Sequence, residues 1–289
     1  MNLSNLVKYL FKYTLKVLSG YDLQKSKRGI LVGSQANIEA NFLSSSCAIL
    51  IEKSSNEVEK NWQIYKYLYQ SKLKTILQKY SINLVIDVGA NTGQFASLLR
   101  AIGYQGKIIS FEPVSTTFKI LLAKSENDPN WDVYQLALGS ENKTQEIYVA
   151  NDSVFSSLLE TNSFCNQKFG DSVARNKAEI VKIQRLDDFL NEYSVNLSNI
   201  NLYLKMDTQG YDLEVFDGLG EMYNNVSALQ TEMSVIALYK NMPHFTSSIS
   251  SFENKGFDLV GIYPVSQDRQ SLKLIEFDCL MTNSNIMMS

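Results

Sequence analysis

Leu84-Val85-Ile86-Asp87-Val88-Gly89-Ala90-Asn91-Thr92-Gly93-Gln94-Phe95 decides the fold of this chain. Its first five residues form a short apolar run rich in branched side chains, which reads as a buried strand of a parallel sheet. A glycine-containing turn follows, and residues 95–100 then take up helical spacing. Strand, turn and helix in that order bring backbone amides and a helix N-terminus up to a ligand. Gly89 and Gly93 let the chain turn tightly, and Asn91 stands where left-handed backbone is best tolerated after glycine. Downstream, Lys107-Ile108-Ile109-Ser110-Phe111-Glu112-Pro113 is a second strand ending in an acid. That acid falls about 20 residues past the turn, where nucleotide-binding folds place a ribose-binding carboxylate. Pro113 cannot continue a ladder, so Glu112 is held at the strand's carboxyl end.

At 289 residues the chain can bury a sizeable core, and 45% hydrophobic with 20% charged residues describes an ordinary globular protein. A net charge of −3 lacks the basic excess of a nucleic-acid binder. No run of about 18 apolar residues is available to span a membrane. The N-terminus lacks the compact apolar core and cleavage site of a signal peptide, so a cytoplasmic location is expected. Cys47, Cys165 and Cys279 are far apart and read as reduced packing residues. With one histidine and no cysteine pair, no metal site is assigned.

Two segments are expected: an extension over 1–56 and a main domain over 57–289. In the extension, Leu3, Leu6, Val7, Leu10, Val17 and Leu18 recur at helical spacing, with Lys8, Lys12 and Lys16 on another face. A basic amphipathic helix of this kind either packs on its domain or lies against acidic lipid headgroups. The second alternative makes residues 1–28 a peripheral contact with the inner face of the membrane. A strand is read over 47–51 and a helix over 57–80. In the domain, helices are read over 116–123, 186–190, 211–216 and 245–255. Strands are read over 131–139, 146–150, 179–184, 201–207, 226–231, 257–263 and 272–281, the last two as an antiparallel hairpin. Residues 153–170 are the least patterned stretch, and loops of that length are often lids. Alternating strands and helices argue a doubly wound α/β sheet. Ligands bind outside the carboxyl ends of such strands, where Gly89, Glu112, Asp207 and Glu232 all fall.

The turn lacks the G-x-G-x-x-G of a dinucleotide site, which disfavours a nucleotide-dependent oxidoreductase. Asp87-x-Gly89-x-Asn91-x-Gly93 instead resembles motif I of the class I S-adenosylmethionine methyltransferases. The match narrows with Phe111-Glu112-Pro113, Ala137-Leu138-Gly139, Leu186-Asp187-Asp188-Phe189 and Lys205-Met206-Asp207-Thr208-Gln209-Gly210-Tyr211-Asp212. In this order these resemble the FkbM family of methyltransferases, over roughly residues 83–263. The resemblance implies a Rossmann-like, mostly parallel seven-stranded sheet with an antiparallel last strand, carrying an N-terminal helical extension. It implies S-adenosylmethionine as cofactor and methyl transfer to a hydroxyl of a carbohydrate or related natural product. The family commonly shows Asp-x-Glu-Gly-x-Glu after the fourth strand. Here Gln209 is neutral, so a role needing charge there does not carry over.

Under that resemblance Asp87 orients the cofactor's methionine end, or else caps its own turn. Gly89, Asn91 and Gly93 allow close approach, Glu112 with Pro113 serves the ribose, and Ala137 and Leu138 flank the adenine. An alcohol is a poor nucleophile near neutral pH and needs a base. The candidates are Asp207, Glu232 and His244. Asp207, at the end of the fourth strand, faces the transferred methyl and counts among the cofactor contacts too. Glu232 would bind the acceptor or share the site. His244 titrates in a suitable range, yet a lone histidine beside Pro243 is more often an ordinary surface residue. The competing reading is a non-catalytic module tethered through the N-terminal helix, against which intact Asp87, Glu112 and Asp207 argue.

Overall fold

The computed structural model describes residues 57–193, 199–268 and 270–286, together with the backbone of 21–26, 29–34, 38–42 and 48–52. The basic helix expected over residues 1–20 lies outside the described residues, as does Cys47. The chain divides into two compact units, Met1–Tyr69 and Gln70–Ser289. In the first, β1 (Tyr21–Ser26) pairs antiparallel with β2 (Gly29–Ser34), and β3 (Ile38–Phe42) with β4 (Ala48–Glu52). Only the last of these strands was legible, because the others run through Ser-, Asn- and Lys-bearing sequence without a clean alternation. Helix α1 (Glu57–Lys79) begins in the first unit and ends in the second, where Leu73, Ile76 and Leu77 are buried at helical spacing.

The second unit alternates as predicted. In chain order it contains β5 (Leu84–Val88), α2 (Gln94–Ala101), β6 (Lys107–Phe111), α3 (Ser115–Ser125), β7 (Trp131–Tyr134), β8 (Ala137–Leu138) and β9 (Lys143–Ala150). There follow α4 (Ser163–Phe169), β10 (Arg175–Gln184), α5 (Leu186–Glu192), β11 (Leu202–Met206), α6 (Asp212–Asp217), β12 (Val226–Ser234), α7 (Phe245–Glu253), β13 (Phe257–Gln267) and β14 (Leu274–Asn283). Seven strands form one sheet in the order β7-β6-β5-β11-β12-β14-β13. β5, β6, β7, β11 and β12 are mutually parallel, and β14 runs antiparallel to both β12 and β13. The strand order reverses between β5 and β11, which is the switch point where such sheets bind ligands.

The alternation of side chains along each strand separates two faces. On one, Leu84, Ile86, Val88, Ile109, Phe111, Leu202, Leu204 and Met206 belong to one buried apolar cluster. On the other, Ser110, Asp87, Lys205 and Gln230 stand opposite one another in a single row across β6, β5, β11 and β12. A polar row inside a sheet is tolerated only when its members satisfy each other.

The strand expected over 131–139 is broken. The chain leaves the main sheet after Tyr134, and Ala137 and Leu138 pair instead with Ile183 and Gln184 of β10, in a small sheet ordered β8-β10-β9. β12 also extends past Glu232, its expected end. Its parallel partner stops at Met206, opposite Thr231, while β14 keeps pairing it through Glu232–Asp278 to Ser234–Glu276.

Candidate active site

The turn after β5 is built from backbone. Gly89 and Ala90 donate to the Phe111 carbonyl at 3.1 and 2.9 Å, folding the turn over the end of β6. Gly89, Asn91 and Gly93 have φ of 72°, 49° and 82°, so the left-handed conformation expected at Asn91 is present. Its side-chain Oδ1 accepts from the Thr92 amide at 2.7 Å, the local bond that makes Asn tolerable there. A Cβ on Gly89 would collide with the Asp207 carbonyl oxygen, and one on Gly93 would sit 2.7 Å from Trp131 Cη2. Both glycines therefore let chain pack on chain, and beside Gly93 the space is filled by an indole.

Glu112 is 6% exposed. Its Oε2 accepts from the Asn91 amide and its Oε1 from the Val114 amide, each at 2.9 Å, which ties the turn to the end of β6. Burial pushes its pKa up to about 7 against the pull of those two donors. Pro113 is half-buried next to it, while Ala137 and Leu138 are buried in the apolar cluster.

On the other side of the switch point sits a residue that the sequence reading left unassigned. Lys205 Nζ lies 3.2 Å from Asp87 Oδ1, 3.3 Å from Asp207 Oδ2 and 3.2 Å from the Gly89 carbonyl. The ammonium donates to the Gly89 carbonyl and forms ion pairs with both carboxylates. Burial alone would lower the lysine's pKa, but Asp87 and Asp207 outweigh it and hold it above its ordinary value. Asp87 is fully buried, which raises its own pKa, and Lys205 opposes the rise. Asp87 Oδ2 also accepts from Ser110 Oγ at 3.2 Å, and that hydroxyl accepts from Trp131 Nε1 at 2.9 Å.

Asp207 follows β11, with its side chain 33% exposed. The sharp turn Asp207-Thr208-Gln209-Gly210 is closed by Asp212, whose Oδ1 accepts from both Thr208 N and Thr208 Oγ1 at 3.0 Å. Asp212 is buried, and burial raises its pKa to about 6. Gln209 Nε2 donates to Asp207 Oδ1 at 3.1 Å and to Glu232 Oε1 at 3.0 Å, and Tyr239 OH donates to Gln209 Oε1 at 2.9 Å. Burial pushes the pKa of Glu232 well up, and Asp207, Glu276 and Asp278 add to the rise. Asp278 is itself raised to about 7, chiefly by burial.

The structure thus joins Asp207 to Glu232 through Gln209, and does not bring His244 into that group. His244 is exposed at the N-terminus of α7, with Nδ1 2.8 Å from Thr246 Oγ1 and its ring against Phe245. Glu232 and Gly210 line a small cleft that opens to solvent, with walls that include Met242, Pro243, Phe245 and Phe252. The stretch over 153–170 reaches both sides of the site. The Ser153 hydroxyl bonds the Asn91 side chain at 3.1 Å, and Ser157 Oγ donates to the Gln209 carbonyl at 3.0 Å. Among the described residues, no three His, Cys, Asp or Glu side chains converge in a metal-holding group, and no helix is long and apolar enough to cross a membrane.

The family model of the methyltransferase FkbM domain matches residues 87–259. The methyltransferase sdnD of Sordaria araneosa is 29% identical over 224 residues, covering 68% of this chain and 82% of that one. Among solved structures, Aeropyrum pernix fibrillarin with bound S-adenosyl-L-methionine aligns at 10% identity and a TM-score of 0.42, covering 91% of this chain and 94% of that one. Magnesium protoporphyrin IX methyltransferase from Synechocystis aligns at 9% identity and a TM-score of 0.41, covering 81% and 87% respectively.

Proposed function

The chain belongs to the FkbM family of S-adenosylmethionine-dependent methyltransferases, and from that premise we propose that it methylates a hydroxyl oxygen of a carbohydrate or related natural product. The observation that carries the reading is the meeting of Asp207 and Glu232 on one Gln209 amide at the carboxyl side of the sheet, with Glu232 also in the wall of a cleft.

The residues at the switch point fit the cofactor. Each Glu112 oxygen accepts a single backbone N–H and keeps a lone pair for a ribose hydroxyl. The two carboxylates Asp87 and Asp207 around the one ammonium of Lys205 leave an excess negative charge, which favours a cationic sulfonium. The turn at Gly89, Asn91 and Gly93 would hold the methionine end, with Asp87 linked to that turn through the Lys205 ammonium and Pro113, Ala137 and Leu138 on the nucleoside side. When bound, S-adenosylmethionine supplies a methyl carbon already activated for displacement.

The chain's own work is then to align an acceptor and take its proton. Asp207 is partly exposed and its second oxygen is held by Lys205, so it would accept the hydroxyl proton as the oxygen bonds to carbon. Glu232 would hold the acceptor in the cleft. The apolar walls at Met242 and Phe245 suit the hydrophobic face of a sugar ring. The test is transfer of labelled methyl from S-adenosylmethionine to a panel of glycans and small alcohols. Label recovered as a methyl ether supports the reading, and label recovered only on nitrogen or carbon overturns it. With a confirmed acceptor, Asp207→Asn should lower kcat by about 10²–10⁴, Glu232→Gln should act mainly on KM, and His244→Gln should do little.

A further inference from the structure

We propose that Gln209 is the positioning residue of the site: its one amide nitrogen holds Asp207 and Glu232 as a pair, and Tyr239 fixes which way the amide faces. The inference deepens the reading above and rests on Asp207 as the proton acceptor.

The end of the Gln209 amide that faces both carboxyl groups is the nitrogen, 3.1 Å from Asp207 Oδ1 and 3.0 Å from Glu232 Oε1. Its two protons serve one oxygen each. The other end of the amide accepts from the hydroxyl of Tyr239 at 2.9 Å, closer than the Phe155 carbonyl that shares this hydroxyl at 3.2 Å, and Tyr239 is 1% exposed and therefore held in place by packing. The main chain is anchored independently, because Ser157 Oγ donates to the Gln209 carbonyl. Gln209 sits at φ 55°, followed by Gly210 at φ 95°. Gly or Asn would make that turn with less strain, so the turn alone does not call for a long side chain. The side chain is accounted for by what it holds.

Its neutrality matters as much as its reach. Asp207 and Glu232 are already faced by Asp87 from β5, Asp212 from α6, and Glu276 and Asp278 from β14, with Lys205 on the far oxygen of Asp207. Two carboxylates brought together without a donor tend to share a proton, and the base is then partly protonated. An amide between them separates the charges without adding one. Asp207 then has both oxygens oriented, one by Gln209 and one by Lys205.

The experiment titrates the pair directly. Full-length protein labelled with ¹³C at Asp and Glu carboxyls is followed by NMR across pH, with Asp207→Asn and Glu232→Gln identifying the two signals. No acceptor is needed. Gln209→Met keeps the length and removes the donors, so the ionised forms lose support and the midpoints should move up by about one pH unit. Gln209→Glu adds a charge and should move them further. The acid limb of kcat should shift in the same direction once an acceptor is known. Tyr239→Phe leaves residue 209 intact and should give a smaller upward shift, which keeps the test open if Gln209→Met does not fold. Unchanged midpoints in folded Gln209→Met, or in both Gln209→Glu and Tyr239→Phe, would overturn the proposal. A wild-type protein that methylates no hydroxyl would overturn the reaction reading and leave the titration result standing.

Discussion

Asp87 and Lys205 occupy opposite positions on neighbouring parallel strands, with the ammonium 3.2 Å from the carboxylate and both side chains almost wholly out of solvent. The pair joins the two halves of the site, because the same ammonium also reaches Asp207 and the Gly89 carbonyl. A change at either partner is therefore felt in the cofactor turn and at the base together.

Lys205→Met leaves two carboxylates without their cation, and breaking a buried pair from one side costs about 3–5 kcal/mol. Urea denaturation should show a loss of that size. Adding Asp87→Asn to the same chain should recover part of it, since the stranded charge is gone. Equal losses in the single and double variants would mean that the lysine's packing, and not its charge, supports the fold.

Gly89→Ala should be severe for a backbone reason. The residue has φ 72°, and an added Cβ would run into the Asp207 carbonyl. β5 and β11 cannot separate without breaking the ladder between them, so relief must come from the turn itself. A loss of roughly 2 kcal/mol or more is expected from strain and overpacking together, with S-adenosylmethionine binding by calorimetry weakened in parallel. A fully stable variant with normal affinity would show that the turn can move away from β11.

The buried carboxyl at Glu112 sets a pH dependence. Its pKa rises from 4.5 to about 7, so the folded chain holds this proton more tightly than the unfolded one. The stability this contributes is complete below about pH 4.5 and is lost as pH rises through about 7. Asp278, raised to about 7, and Asp212, raised to about 6, act in the same direction. Tm of the cofactor-free protein should therefore fall from about pH 5 to pH 7.5. Glu112→Gln should flatten the slope by at most about 1.4 kcal/mol per pH unit. Ribose hydroxyls would bond the ionised form, so affinity for S-adenosylmethionine should rise over the same interval in the wild type and not in Glu112→Gln.

What could be read in advance follows from where each signal is stored. The strands β5, β6, β11 and β12 are buried runs rich in apolar residues, and burial on both faces is the cause of such runs. Asn91 was legible because left-handed backbone selects few residues. Lys205 was not: inside Leu202-Tyr203-Leu204-Lys205-Met206 a lone charge looks like the solvent side of a strand, and its partners come from register with β5. Gln209 read as a lost charge, whereas in three dimensions it is a donor between two acids. The break after Tyr134 was also hidden, since no glycine or proline marks it and only the pairing with β10, far later in the chain, draws Ala137 away.

The place of β14 between β12 and β13 has a consequence for how the chain is made. Strands β6, β7 and β11 can pair as they leave the ribosome, each next to a neighbour already synthesised. β12, which carries Glu232, waits with one edge bare until residues 274–283 emerge and slide in beside it. The nascent enzyme thus owns its cofactor turn well before it owns a finished acceptor wall. During that interval β12 offers an open edge for mispairing, and a translational pause between residues 267 and 274 would prolong it.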